Sequence, residues 1–370
     1  MSAGDNAVHG ERLARLRAAM IPAGIEAVYT THPANRRYLT GYTGEDHPPD
    51  ESAGALLITP DAAYLRTSVV NAAQARAESP DFTVVAYARQ DEAAQQLQEI
   101  AARHDIRQIG FDESAMLYTT YHWLRTTLPT VEFAAIGALI TDLRAIKDRA
   151  EIALLRRAQA ITVAAFVEVS AGIVAGMTEK EVAWELEKAV HAHGGEGLGF
   201  STIVGTGDNG SRPHHTVTDR PIHAGEPIVI DMGARYQGYS GDLTRTIVVG
   251  EPDTQFRRVY DVVLRAMRHA EEVARPGMTA GELDAAARAV IAEAGYGEAF
   301  LHGLGHGIGL QVHEAPSARR EGDDIFAAGM SLTIEPGVYL PGWGGVRIED
   351  LIVFTADGII NLTDAPVLDV

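Results

Sequence analysis

Cysteine is absent from all 370 residues, which removes disulfides and thiolate chemistry together. Any metal held by this chain must be bound through nitrogen and oxygen. No run of about 18 apolar residues occurs, so no segment is expected to span a membrane. The first twenty residues, MSAGDNAVHGERLARLRAAM, have no apolar core of the secretory-signal kind, and a cytoplasmic protein is the expectation. Basic charge is scarce as well. The 31 Lys and Arg against 50 Asp and Glu leave a net charge of −19, so no nucleic-acid partner is expected. The imbalance is uneven, net −5 over residues 1–147 and −14 over residues 148–370. Either a cation site or a soluble surface would account for that acidic half.

With 46% hydrophobic residues and no low-complexity tract, the chain is long enough for two domains and a sizeable core. Residues 9–22 have helical spacing, with Leu13, Leu16 and Met20 on one side. IEAVYTT reads as a strand, ANRRYLTGYTG as a loop entering a turn, and GALLITP and AAYLRTS as paired strands. Residues 91–104 and 114–128 read as helices, and IRQIGFD and VEFAAIG as short strands. This alternation predicts a small α/β domain over residues 1–143. Residues 148–173 then read as one long helix. Thr178 and Glu181 form a capping-box signal for the next helix, and Thr279 and Glu282 repeat it about 100 residues later. GMTEKEV and GMTAGEL each follow a long helix and precede a shorter one. The expected fold class is therefore α+β, with a pseudo-symmetric domain over residues 144–370 built from two helix pairs, each followed by strands.

The chemistry-bearing residues lie in that second part. Glu226 to Thr246, EPIVIDMGARYQGYSGDLTRT, has the pattern of two strands around a Gly-rich turn. Such a hairpin sets Asp231 and Asp242 near one end of a sheet. Two adjacent carboxylates repel unless a cation compensates them, although singly Asp231 can cap a strand and Asp242 can sit in a turn. HGLGHGIGLQVHE carries His302, His306 and His313 among four glycines. Its GxGxGxG spacing lacks a dinucleotide-binding βαβ context, and four glycines disfavour a helix. An extended segment is expected, with His302 and His306 on one face. Glu335 ends the apolar run SLTIEP, and Glu349 stands inside the apolar GGVRIEDLIVF, either paired or on a solvent-facing edge strand. Asp231, Asp242, His306, Glu335 and Glu349 together offer hard oxygens and one imidazole, a set suited to Mn, Co, Fe or Zn. Four carboxylates are neutralised by two divalent cations but not by one, so the count favours a two-metal site.

In order and in surroundings these five residues resemble the ligand pattern of the "pita-bread" metallopeptidases, which include methionine aminopeptidase, Xaa-Pro aminopeptidase and prolidase. The resemblance covers nearly the whole chain. ANRRYLTGYTG resembles the N-x-R-Y-L-T-G loop of a creatinase-type N-terminal domain, which points to the Xaa-Pro branch. The resemblance implies a dinuclear peptidase cleaving Xaa-Pro bonds in peptides or dipeptides, with two ions, Mn²⁺ foremost and Co²⁺, Zn²⁺ or Fe²⁺ as alternatives. It further implies a proline-containing peptide substrate and a homodimer. As active-site residues it implies His214, His302, His313, Glu335 and Arg347, the last orienting a ligand or binding a substrate carboxylate. His215 has no counterpart in the pattern. Leu351 stands where the family often has a polar residue. Other functions on this scaffold are a non-peptide hydrolase, a dimethylsulfoniopropionate lyase and a non-catalytic peptide binder. Creatinase lacks this ligand set, and binding modules have lost theirs.

Overall fold

The computed structural model describes residues 3–47 and 51–368. The chain divides into two units, one up to Arg144 and one from Ala145 onward. In the first, short apolar runs form a six-stranded sheet. Its order is Thr83–Tyr87, Ala63–Ser68, Ala55–Ile58, Ala27–Thr30, Gln108–Phe111, Glu132–Ala135. The three strands from Ala27 to Ser68 pair antiparallel, and the flanking pairs are parallel, as α-helical crossovers require. Leu13, Leu16 and Met20 are buried on the first helix, which begins earlier than expected, at Ala3. The second half of the unit also departs from expectation, since the helix is confined to Tyr118–Thr127.

The segment expected to be a loop, ANRRYLTGYTG, is mostly helix, Pro33–Thr40. Pro33 stands at its start, the His32 side chain accepts from Ala34 N, and Gly41 closes it with a φ of 75°. Periodicity misses this helix because it buries Asn35, Arg36 and Thr40 alongside Ala34, Tyr38 and Leu39. Arg36 is fully buried, yet its guanidinium pairs with Asp46 at 2.8 Å and donates to Gly54 O at 2.9 Å.

In the second unit the two predicted helix pairs are present. Arg149–Ser170 precedes Glu179–Ala192, and Thr254–Val273 precedes Ala280–Glu293. Thr178 and Thr279 each complete a capping box, with Glu181 and Glu282. Each capping threonine also bridges an incoming segment, Thr178 to Pro221 and Thr279 to Ile325. The two halves thus repeat down to their backbone pairing. Thr254–Val273 buries Phe256, Val259, Tyr260, Val263, Met267 and Ala270, the i, i+3, i+4, i+7 stripe of an amphipathic helix. Each helix pair has its own apolar core. Leu186, Val190 and Phe166 pack against Ile228 and Ile230 in one half. Val263, Leu283 and Ile291 pack with Leu332, Ile334 and Ile352 in the other. Full burial of each such side chain is worth about 1.5–3 kcal/mol, so each layer of helices is fixed to its strands. No helix among the described residues is long and apolar enough to cross a membrane.

Candidate metal centre

Strand register brings the carboxylates together. Pro227–Met232 pairs antiparallel with Leu243–Val248, Asp231 opposite Thr244, so Asp242 lies one step beyond the paired run. The connection is more than a single turn. It contains a small hairpin, Ala234–Tyr236 with Tyr239–Ser240, closed at Gln237 and Gly238, both at positive φ. In the other half the same geometry recurs. Ser331–Ile334 pairs with Asp350–Phe354, and Gly337–Leu340 pairs with Gly344–Arg347. Glu335 and Glu349 fall where one pairing gives way to the other, so they face each other across the switch. Glu349 is therefore not inside a strand or on a solvent-facing edge. It follows Gly344–Arg347, precedes Asp350–Phe354 and is 2% exposed. Glu349 N donates to Thr244 O at 3.0 Å, which joins the two halves at the site.

Asp231, Asp242 and Glu349 offer carboxylate oxygens that all lie within 4.8 Å of one another. His306 Nε2 lies 3.4 Å from Glu335 Oε1 and 3.8 Å from Asp242 Oδ2. The five expected ligands thus line one cavity of about 500 Å³ with His214, His302, His313 and Arg347. His302 is not on the strand expected for it, which is confined to Gly305–Gly307. Close backbone contact explains the glycines there: a Cβ at Gly305 would stand 1.9 Å from Thr333 O.

Electrostatics single out the same residues. Burial, then Glu349 and Asp231, raises the Asp242 carboxyl well above its ordinary range. Burial, then Glu335 and Asp231, does the same to Glu349. Burial raises Glu335 to about 7, against the opposing pull of Arg347. Burial lowers His306, and its Nδ1 donates to Gly307 O at 3.1 Å. That bond leaves the Nε2 lone pair facing the carboxylates, the tautomer a metal ligand needs. Asp231 Oδ1 is buried without a hydrogen-bond partner among the described residues. An orphaned carboxylate oxygen, a neutral imidazole and three carboxyls resisting ionisation make a donor set suited to a hard divalent ion.

Arg347 and His302, which the resemblance implied, are held together with Tyr339, Thr244 and Thr333, which carry no signal in the sequence. Arg347 Nη2 donates to Asp231 Oδ2 at 2.6 Å, which orients that carboxylate and leaves the guanidinium committed to it. Arg347 Nη1 donates to Tyr339 OH at 2.8 Å, and the Tyr339 hydroxyl lies 2.8 Å from His302 Nε2. Burial, then Arg347, lowers His302 to about 4, so the ring is neutral. Its Nδ1 donates to Gly303 O at 2.7 Å, and Nε2 therefore accepts from Tyr339. Thr244 Oγ1 donates to Glu349 Oε2 at 2.6 Å and accepts from Arg347 Nε at 3.0 Å. Thr333 Oγ1 donates to Glu335 Oε1 at 3.1 Å. Tyr339, Thr244 and Thr333 follow ordinary strand alternation beside the ligands, and only their contacts mark them. Phe200, Ile203 and Val312 give the cavity an apolar wall. Leu351 is fully buried in a small apolar cluster beside the site.

Models of two protein families match the chain: metallopeptidase family M24 over residues 153–356, and the creatinase/prolidase N-terminal domain over residues 12–146. The Xaa-Pro dipeptidase of Pyrococcus furiosus is 36% identical over 353 residues, which is 95% of this chain and 97% of that protein. Among solved structures, Xaa-Pro dipeptidase from Bacillus anthracis superposes with a TM-score of 0.92 at 35% identity, covering 97% of this chain and 99% of that one. X-Pro aminopeptidase from Thermotoga maritima superposes with a TM-score of 0.85 at 34% identity, covering 93% and 96%. The family and fold implied by the sequence motifs are thus the ones the comparisons return.

Proposed function

This chain belongs to metallopeptidase family M24, and from that premise we propose that it is an Xaa-Pro peptidase of the prolidase type, acting on Xaa-Pro dipeptides. The observation that carries the reading is the meeting of Asp231, Asp242, His306, Glu335 and Glu349 in one cavity beside an apolar wall. Residues 1–143 form the creatinase-type N-terminal domain and residues 144–370 the catalytic domain. The five side chains would hold two divalent ions, manganese foremost, since four carboxylates match two double charges and the donor set is hard. When bound, such ions polarise a scissile carbonyl and acidify water.

The chain's own residues supply the rest. Thr333 fixes Glu335 beside His306, where its carboxylate accepts the proton of the attacking water and returns it to the leaving proline nitrogen. His214 and His313, both lining the cavity, hydrogen-bond the substrate around the reacting carbonyl. Arg347 orients Asp231, and His302, tied through Tyr339, holds Arg347 in place. Phe200, Ile203 and Val312 receive the proline ring and exclude water from it. By resemblance to its family the enzyme is a cytoplasmic homodimer.

Hydrolysis of Ala-Pro and of Ala-Pro-Ala by protein reconstituted with Mn²⁺ or Co²⁺ tests this reading. Cleavage of Ala-Pro alone is expected. Cleavage of Ala-Pro-Ala would make the enzyme an aminopeptidase. Cleavage of neither, with metal shown to be bound, would refute the peptidase assignment.

A further inference from the structure

One buried carboxylate outside the cavity, Glu179, takes no part in that mechanism. Glu179 opens the helix Glu179–Ala192 and is fully buried. Its Oε1 accepts from Thr206 N at 3.0 Å and Asn209 Nδ2 at 2.9 Å. Its Oε2 accepts from Thr218 N at 2.9 Å and Thr218 Oγ1 at 2.6 Å, and lies 2.8 Å from His215 Nε2. Burial pushes the Glu179 pKa up, but the bonds from Thr218, Asn209, His215 and Thr206 outweigh it, and the group stays below its ordinary value. Glu179 is an anion satisfied on both oxygens, at a helix end whose free N–H groups also favour negative charge.

The position of its partners gives this hub a purpose. Thr206 and Asn209 lie on one stem of a loop, and His215 and Thr218 on the other. The tip between them carries Pro213 and the exposed His214, which lines the cavity. His214 makes no hydrogen bond to another described residue, so its own contacts do not hold it. Its neighbours do. Pro213 O accepts from Arg347 Nη1 at 3.3 Å on the cavity side, and His215 is gripped by Glu179 on the protein side. His214 thus opens on the cavity while the next residue, His215, is buried against Glu179. An exposed loop is mobile unless anchored.

We propose that Glu179 and His215 are positioning residues that hold His214 in place for catalysis. The proposal rests on the reading above that His214 meets substrate. A double-mutant cycle tests it, with Glu179→Gln and His215→Phe each made alone and on a His214→Ala background. Metal content, melting temperature, kcat and KM for Ala-Pro are measured in each protein. The single variants are expected to lose about 10- to 100-fold in kcat/KM, the scale of a misplaced active-site group, with metal content unchanged. On the His214→Ala background they are expected to cost nothing further. An equal loss on both backgrounds, or no loss in the singles, overturns the proposal. Wild-type kcat/KM in His214→Ala overturns the reading of His214 and this proposal with it, so the two failures are distinguishable. Should Glu179→Gln not fold, Thr218→Val removes one bond to the carboxylate, keeps the side-chain shape and enters the same cycle.

Discussion

Stripping the metal from this protein is expected to make its stability fall as pH rises. Carboxylate oxygens of Asp231, Asp242 and Glu349 lie within 4.8 Å of one another. At that separation, with an effective dielectric near 20, each ionised pair repels by roughly 3 kcal/mol. Arg347 hydrogen-bonds one carboxylate, Asp231, and only partly offsets the burial and mutual repulsion of Asp242, Glu335 and Glu349. The metal-free fold therefore retains protons that the unfolded chain releases. Glu335 gives the window: it titrates at about 7 in the fold against 4.5 when unperturbed, with burial as the main cause. A raised pKa in the fold means a contribution fully present below about pH 4.5 and lost by about pH 7. A shift of that size corresponds to about 3 kcal/mol from Glu335 alone. Asp242 and Glu349, raised in the same direction, add to it. With two divalent ions bound, the carboxylates stay ionised in the fold and the penalty vanishes. For a unit of roughly 225 residues, 3 kcal/mol corresponds to about 6–12 °C in melting temperature. Melting curves of chelated and Mn²⁺-loaded protein, recorded from pH 5 to pH 8, should diverge by at least that amount as pH rises. A gap that stays constant across the range would refute the reasoning, because it would mean the carboxylates do not interact in the empty site.

Arg347→Met leaves the half-buried Asp231 carboxylate unpaired and should destabilise metal-free protein, by up to about 3 kcal/mol, in urea unfolding. An unchanged midpoint would show that Asp231 has another partner. Thr244→Val removes the hydroxyl shared by Glu349 and Arg347, and should weaken Mn²⁺ affinity about 10- to 100-fold by calorimetry with little change in fold. Wild-type affinity would deny Thr244 its orienting role. Glu335→Gln should lower kcat for Ala-Pro by at least about 10²-fold, the scale of a lost general base. Near-normal turnover with full metal content would remove Glu335 from proton transfer.

The sequence by itself determined the parts whose signals are local. Capping boxes at Thr178 and Thr279 involve residues three apart, and both form as read. Apolar stripes such as Phe256, Val259, Tyr260 and Val263 fix a helix and its buried face. Five ligand-type residues in fixed order, each in its own short motif, were enough to identify a family. Tertiary structure alone decided the contacts between segments. Thr244 and Glu349 are more than a hundred positions apart, and their meeting follows from two strand registers in different halves of the repeat. The chain from Arg347 through Tyr339 to His302 likewise depends on which side chains share a buried face, as does the Glu179–His215 pair behind His214. The helix Pro33–Thr40 was misread for a related reason. Periodicity reads burial from apolar residues, whereas Arg36 is buried by an ion pair and carbonyl acceptors supplied from beyond its own helix. Local spacing reports neighbours along one element. A buried polar group takes its partners from distant elements, and only folding brings those partners within reach.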